Sequence, residues 1–207
     1  IVPDNEARLI QAASPPYRML RTRILQRCRT NQWSRLALTS PGPGEGKSVT
    51  AINLALSIAR EGNHDVFLID LDMRNPSTCR YLGVTPPAEV VSYFAGTAEA
   101  RDIFFTLGVE NLTVAGGTTP TNRASELLAT TRLEELFDYI GRISANPLVI
   151  LDLPPVVNTD DALVVAPKID AMMLVVAEGR TRREGLSRAI ELLADFPLAG
   201  IVLKGLP

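Results

Sequence analysis

Short apolar runs alternate along the chain with longer stretches in which apolar residues recur at helical spacing. The short runs are residues 36–39, 66–69, 112–114, 148–151, 172–176 and 201–203. Most of them are apolar at consecutive positions, which is typical of parallel strands covered on both faces. The helical stretches are residues 16–29, 48–60, 131–142 and 181–195. This alternation predicts an α/β fold with a doubly wound, mostly parallel sheet flanked by helices.

Composition excludes several classes of protein. The chain has 207 residues, 46% apolar and 21% charged, which suits one domain with a sizeable core. No apolar run approaches the roughly 20 residues of a membrane-spanning helix, and the first residues lack the basic start and apolar stretch of a secretory signal. Two cysteines predict no disulfide framework, and a net charge of −2 argues against nucleic acid as a partner. We expect a cytoplasmic protein.

Basic residues are concentrated near the N-terminus. No Asp or Glu lies between Glu6 and Glu45. The arginines within that stretch are Arg8, Arg18, Arg21, Arg23, Arg27, Arg29 and Arg35. Two interpretations stay open: the solvated face of a helix, or a docking strip for anionic lipid or an acidic partner.

The strongest local motif lies between the first predicted strand and the helix that follows it. Residues 39–48 read Thr-Ser-Pro-Gly-Pro-Gly-Glu-Gly-Lys-Ser. Glycines let successive backbone N–H groups surround an anion, Lys47 supplies a charge for the β- and γ-phosphates, and the Ser48 hydroxyl can bind Mg²⁺. Pro41 stands where the strict phosphate-loop pattern has glycine, and the alternative is a Gly/Pro turn capped by Ser48. The expected nucleotide contacts are Gly42, Pro43, Gly44, Glu45, Gly46, Lys47, Ser48 and Val49.

Acidic residues follow two further apolar runs. Asp70 and Asp72 come after residues 66–69, and Asp152 comes after residues 148–151. Ligands of open parallel sheets bind outside the carboxyl ends of the strands, where the phosphate loop also lies. We therefore expect three carboxylates near a triphosphate and its Mg²⁺, which uses few protein ligands and keeps several waters. A strand-end cap is the alternative interpretation for each acid taken singly.

With these motifs, the chain resembles the bacterial tyrosine kinases of polysaccharide synthesis and export, the capsular polysaccharide autokinase family. Residues 43–48 are similar to the family's Walker A motif, residues 70–76 to its D-x-D-x-R-x-P Walker A′ motif, and residues 150–156 to its Walker B motif. Asp161-Ala162 fits a TDA-like element, and residues 125–128 fit an E-L-L segment. The resemblance implies a P-loop NTPase domain of the partition-ATPase class, a three-layer α/β/α fold.

The resemblance also implies roles for individual residues. Lys47 would bind the phosphates of ATP, with Ser48, Asp72 and Asp152 as the Mg²⁺ ligands. Asp70 would accept the proton of the attacking tyrosine hydroxyl, so that Lys47, Asp70 and Asp72 form the catalytic set. The implied partner is a membrane polysaccharide co-polymerase or a fused transmembrane activator at the inner face of the plasma membrane. A homo-oligomer is a further implied state.

Three departures from the family pattern bear on function. The four tyrosines are scattered, with no C-terminal cluster, so we expect this chain not to phosphorylate itself appreciably. The E-x-x-R-x-x-R assembly motif keeps Arg18 and Arg21, but Pro15 replaces its glutamate, so we expect a monomer or low oligomer. Lys204 stands where the final strand of the family often ends in asparagine, near the purine base.

Two alternative functions are compatible with parts of this sequence. A partition-type ATPase is disfavoured because Gly42 occupies the position of its second lysine. A non-phosphorylating ATP-binding adaptor is favoured by the missing tyrosine cluster and disfavoured by the intact Lys47 and acidic residues. In either case we expect an N-terminal helical segment, residues 1–32, packed on a nucleotide-binding domain of residues 33–207.

Overall fold

A seven-stranded sheet forms the centre of the fold, which a computed structural model describes over residues 14–205. The strands are β1 (Arg35–Thr39), β2 (Asp65–Asp70), β3 (Phe105–Thr106), β4 (Leu112–Ala115), β5 (Pro147–Asp152), β6 (Ala171–Ala177) and β7 (Leu198–Lys204). They lie in the order β3-β4-β2-β5-β1-β6-β7, and neighbours pair in parallel except β3 with β4. The predicted doubly wound, mostly parallel α/β sheet is confirmed, and β3 adds an antiparallel edge.

Helices connect the strands and cover both faces of the sheet. They are α1 (Pro15–Asn31), α2 (Lys47–Ala59), α3 (Thr78–Leu82), α4 (Val90–Phe94), α5 (Ala100–Ile103), α6 (Ala124–Leu128), α7 (Arg132–Ile143), α8 (Asp161–Val165) and α9 (Arg183–Leu192), with a 3₁₀ turn at Ala166–Lys168. The four predicted helices correspond to α1, α2, α7 and α9, with ends displaced by one to three residues. The single-turn helices lack enough length to show a helical period in the sequence.

Successive strand residues point to opposite faces of the sheet and so divide the core in two. Leu36 and Leu38 face α1 and α2 in one apolar cluster. Ala37 lies on the other face, in the cluster that also contains side chains of α4, α6, α7 and α8. Because α2 lies between the sheet and α1, every residue of α2 is buried. This double covering explains why the strands are apolar at consecutive positions.

The first helix belongs to the same core as the sheet. Ile24 and Cys28 of α1 are buried against the cluster that contains α2. Residues 1–13, which include Arg8, lie outside the described part of the chain. The expected boundary between an N-terminal helical segment and a nucleotide-binding domain, at residues 32 and 33, stays a prediction. Among residues 14–205, no helix is both long and apolar enough to cross a bilayer.

Strand order brings the sequence motifs to one edge of the sheet. β5 lies between β1 and β2, and its last residue, Asp152, pairs with Asp70 of β2 on one side and Leu38 of β1 on the other. The phosphate loop follows β1 directly. The three motifs are therefore neighbours at the carboxyl edge, as the parallel arrangement predicted.

Candidate active site

The loop between β1 and α2 turns through two glycines with positive φ. Gly44 has φ 71° and Gly46 has φ 92°, a left-handed conformation that side-chain-bearing residues rarely adopt. Pro41 and Gly42 are not among the positive-φ residues, so proline is compatible with a position where the strict motif has glycine. The Ser40 hydroxyl donates to the Gly42 carbonyl at 2.7 Å and closes the start of the turn. The predicted phosphate loop thus has its expected strand-to-helix setting.

Lys47, the first residue of α2, is buried among the carboxylates. Its Nζ lies 2.6 Å from Oδ2 of Asp72 and 3.9 Å from Oδ1 of Asp152. Burial alone would lower the pKa of Lys47, but the negative charges of Asp152, Asp72 and Asp70 outweigh it and raise that pKa above its ordinary value. Lys47 is therefore a permanent cation at the centre of the site.

Asp70 anchors the loop that follows β2. Its Oδ1 accepts the Asp72 N–H at 3.0 Å, and its Oδ2 accepts the N–H groups of Ser77 and Thr78, both at 2.9 Å. Burial nonetheless raises the pKa of this carboxyl above its ordinary value, against the lowering effect of the backbone donors. The backbone donors therefore hold Asp70 in place, and burial favours the protonated form of its carboxyl group.

Asp152 is a buried carboxylate beside Lys47 and the Ser48 hydroxyl. It is 0% exposed, and within residues 14–205 neither of its oxygens accepts a hydrogen bond of good geometry. Burial raises its pKa to about 7, because the desolvation of the charged form outweighs the attraction of Lys47. A buried acceptor of this kind marks a position for an additional cation or donor.

The hydroxyl of Ser48 lies beside these acids. Ser77 Oγ donates to Ser48 Oγ at 2.9 Å, and both side chains are buried. Ser77 was not predicted from the sequence, because a serine seven residues beyond Asp70 carries no motif of its own. Its backbone and hydroxyl together connect the phosphate loop to the loop that Asp70 holds.

The donor set fits Mg²⁺ only in combination with phosphate oxygens. Ser48, Asp72 and Asp152 provide hard oxygen ligands, and the unused oxygens of Asp152 are the observation that favours a cation here. Within the described residues, no group of three or more His, Cys, Asp or Glu side chains could hold a metal ion. The residues present therefore suit an ion that arrives with its nucleotide.

An ion pair fixes the outer end of the Walker A′-like segment. Arg74 binds both oxygens of buried Asp161, with Nε at 2.8 Å from Oδ2 and Nη2 at 3.0 Å from Oδ1. Arg74 Nη2 also donates to Ser125 Oγ at 2.8 Å, and the one proton of that hydroxyl is shared between the carboxylates of Asp160 and Asp161. The motifs at residues 70–76, 125–128 and 161–162, which are separate in the sequence, are thus joined by one network of hydrogen bonds and ion pairs.

The four tyrosines are all within the described part of the chain, and each is at least half-buried. Tyr93 is buried, and its hydroxyl donates to the Arg132 carbonyl at 2.8 Å. Tyr17, Tyr81 and Tyr139 are intermediate in exposure.

The fold and this constellation define the class of protein, a P-loop NTPase. No protein-family profile matches the chain. The chain is 32% identical over 195 residues to tyrosine-protein kinase YwqD of Bacillus subtilis, covering 93% of this chain and 81% of YwqD. It superposes on the kinase domain of Escherichia coli tyrosine kinase ETK with a TM-score of 0.76 and 26% identity, covering 84% of this chain and 68% of that one. Pyrococcus horikoshii MinD, solved with Mg-ADP, shares the fold at a TM-score of 0.64 and 18% identity, covering 81% and 66% of the two chains.

The chain belongs to the bacterial tyrosine-protein kinases. It is therefore an enzyme, a phosphotransferase, and the comparisons support this interpretation over a non-phosphorylating adaptor or a partition-type ATPase. The resemblance expected from the Walker-like motifs is confirmed. The roles of individual site residues stay predictions.

Proposed function

We propose that this chain transfers the γ-phosphoryl group of ATP to tyrosine, with Mg²⁺, in the control of capsular or exopolysaccharide synthesis. The observation that supports the proposal best is the buried group of Lys47, Asp70, Asp72 and Asp152 beside a glycine loop at the sheet edge. ATP or ADP would contact residues 42–49. Mg²⁺, when bound through Ser48, Asp72 and Asp152, would supply charge neutralisation on the phosphates.

Lys47 would exchange its contact with Asp72 for the phosphate oxygens. The ion pair at 2.6 Å keeps the ammonium oriented and charged before nucleotide arrives. Release of Lys47 leaves an oxygen of Asp72 free, so the same movement would prepare one metal ligand. A permanent cation placed on the transferring group is the kind of preorganised charge that lowers the barrier to phosphoryl transfer.

Asp70 would act as the base toward the acceptor. The phenol oxygen forms a bond to the γ-phosphorus, the bond from that phosphorus to the bridging β–γ oxygen breaks, and ADP leaves. The phenolic proton passes to Asp70, whose raised pKa suits a proton acceptor. None of the four tyrosines is exposed, which supports an acceptor tyrosine at a position other than these.

The partner would be a membrane polysaccharide co-polymerase or a fused transmembrane activator, which would place the domain at the inner face of the plasma membrane. Self-assembly would not follow the family's helix contact. Pro15 provides no carboxylate, and Arg21 already pairs within its own chain, with Nε 3.0 Å from Oε2 of Glu61. We expect light scattering to show a monomer or low oligomer at micromolar concentration, and a stable octamer would contradict this.

Calorimetric titration with MgATP tests the nucleotide site through Lys47→Ala. The change removes the one side-chain cation that, within residues 14–205, touches the carboxylates of the site, so binding should weaken by about tenfold or more. Lys168→Ala, which changes the same charge far from the loop on a lysine bonded to the Leu128 and Thr130 carbonyls, is the matched control. Unchanged affinity in Lys47→Ala, in a variant that melts cooperatively, would refute the phosphate-loop assignment.

A further inference from the structure

Two basic side chains from other parts of the chain lie against the glycines of the phosphate loop. A β-carbon built on Gly44 would lie 2.6 Å from Nη2 of Arg180, and one built on Gly46 would lie 2.6 Å from Cδ and 2.8 Å from Nζ of Lys204. Arg180 follows β6, and Lys204 is the last residue of β7. Arg180 and Lys204 thus lie against the loop although they are 136 and 158 positions beyond the glycines that they contact.

The backbone positions both residues firmly. β6 and β7 pair in parallel with Ala177 opposite Lys204, and the Glu178 N–H donates to the Lys204 carbonyl at 2.9 Å. The turn after β6 is closed by the Arg180 and Thr181 N–H groups, which donate to the Ala177 carbonyl at 3.2 and 2.9 Å. Gly179, with φ 69°, permits this tight turn. Arg180 therefore approaches the loop from a fixed turn at a strand end.

Neither cation has an acidic partner among residues 14–205. No ion pair or side-chain hydrogen bond of Arg180 or Lys204 is present there, although every other part of the site is paired or buried. Half-burial lowers the pKa of Lys204, so the ammonium would gain from an anion beside it. Arg180 also borders a cavity of about 510 Å³ along loop residues Pro41 and Pro43. The donors of both side chains are free to face a ligand of the loop.

The charge of the site favours additional cations on this side. Lys47 faces three carboxylates, those of Asp70, Asp72 and Asp152, so one ammonium balances only one of their charges when all three are ionised. A nucleotide triphosphate adds further negative charge even with Mg²⁺ bound. A guanidinium and an ammonium over the loop glycines would balance that charge, and arginine suits phosphate because its planar donors match two oxygens at once.

We propose that Arg180 and Lys204 contact the phosphate oxygens of the bound nucleotide from the same chain, as two cations in addition to Lys47. The proposal rests on the nucleotide site proposed above. The chain would then supply its own arginine to the phosphate loop. Gly42, at the position where partition-type ATPases have a second lysine, provides no such charge. Both residues would touch the substrate, so they would be catalytic residues.

The test measures MgATP binding and steady-state turnover for Arg180→Ala and Lys204→Ala, with Arg183→Ala as a control of equal charge change on an exposed residue of α9. Binding or turnover should fall by about tenfold in each of the first two variants and stay at the parent value in the control. The three variants should melt within about 2 °C of the parent without nucleotide, because the removed atoms make no hydrogen bond to any residue that the structure describes.

Salt dependence separates a phosphate contact from a contact with base or ribose. The loss of MgATP binding should be largest at about 50 mM salt. It should be smaller at about 500 mM, because screening weakens the charge contacts of the parent protein there. A loss independent of salt would overturn the phosphate assignment. Parent-like affinity and turnover in both variants would overturn this inference and leave the nucleotide site standing, whereas a parent protein that binds no MgATP would refute the proposed function itself.

Discussion

Asp152→Asn should stabilise the nucleotide-free protein while impairing its function. The carboxyl group is 0% exposed, accepts no hydrogen bond of good geometry within the described residues, and has its pKa raised to about 7. Relative to the ordinary value of 3.8, that shift corresponds to about 4 kcal/mol of destabilisation by the charged form at pH 8. That figure is already net of the attraction of Lys47, but asparagine leaves a buried amide to be satisfied, so we expect a net gain of about 2 kcal/mol.

The pH dependence of this gain has a definite sign. Because the folded-state pKa of Asp152 lies above the unfolded value, folding takes up a proton between about pH 4 and about pH 7. The destabilising charge is fully present at pH 8 and disappears as the pH falls through 7 toward 4. The difference between Asp152→Asn and the parent should therefore be largest at pH 8 and much smaller near pH 5.

Differential scanning calorimetry at both pH values measures this difference. A gain of about 2 kcal/mol raises the melting temperature by about 4–8 °C for a chain of this length. Asp161→Asn is the matched control, since Asp161 is equally buried but paired through both oxygens with Arg74, and its loss should lower the melting temperature. A variant at Asp152 that melts below the parent at pH 8, or a gap that widens toward pH 5, would refute the reasoning.

Further expectations concern the acids and the packing around them. Asp72→Asn should lose the Mg²⁺ dependence of nucleotide binding, whereas Asp70→Asn should keep binding and lose turnover; calorimetry and a phosphate-release assay separate the two. Gly116→Ala should lower stability by about 1–3 kcal/mol, since its β-carbon would lie 2.7 Å from Cys79 Sγ, and the exposed Gly141→Ala should gain about 0.5–1 kcal/mol in thermal melts. Cys79, fully buried and with its pKa raised to about 12 by burial and by the Asp70 charge, should resist alkylation at pH 8 until the protein unfolds, as intact mass would show.

Each of these expectations has a clear contrary result. Equal loss of Mg²⁺ dependence in Asp70→Asn and Asp72→Asn would contradict their separate roles. A Gly116→Ala variant as stable as the parent would show that Cys79 can move aside. Rapid alkylation of native Cys79 would show that the region around β2 opens without global unfolding.

Motifs with strong local constraints were predictable, and contacts between distant segments were not. The phosphate loop depends on neighbouring glycines and Lys47, so its composition alone indicates its chemistry. Strand ends placed Asp70 and Asp152 together because parallel strands share an edge. Ser77 and Arg180 reach the site through a loop and a turn whose paths depend on tertiary packing, and no spacing rule in the sequence encodes those paths. The position of Lys204 stood out as unusual, but its direction toward Gly46 depends on where β7 ends.

The complete burial of α2 makes one side of the site rigid, whereas the opposite wall of the site consists of loops that can move. Every residue of α2, from Lys47 to Ala59, is enclosed by the sheet and α1, so the helix cannot shift without opening a core. The opposite wall is made of loops that are anchored by the hydrogen bonds of Asp70 and Arg74 on one side and by the turn before Arg180 on the other. Amide exchange should therefore be slowest in α2 and report global unfolding, while the loops exchange by local opening. Any partner that regulates the reaction would act on these loops, with the phosphate-binding helix serving as the fixed reference against which they move.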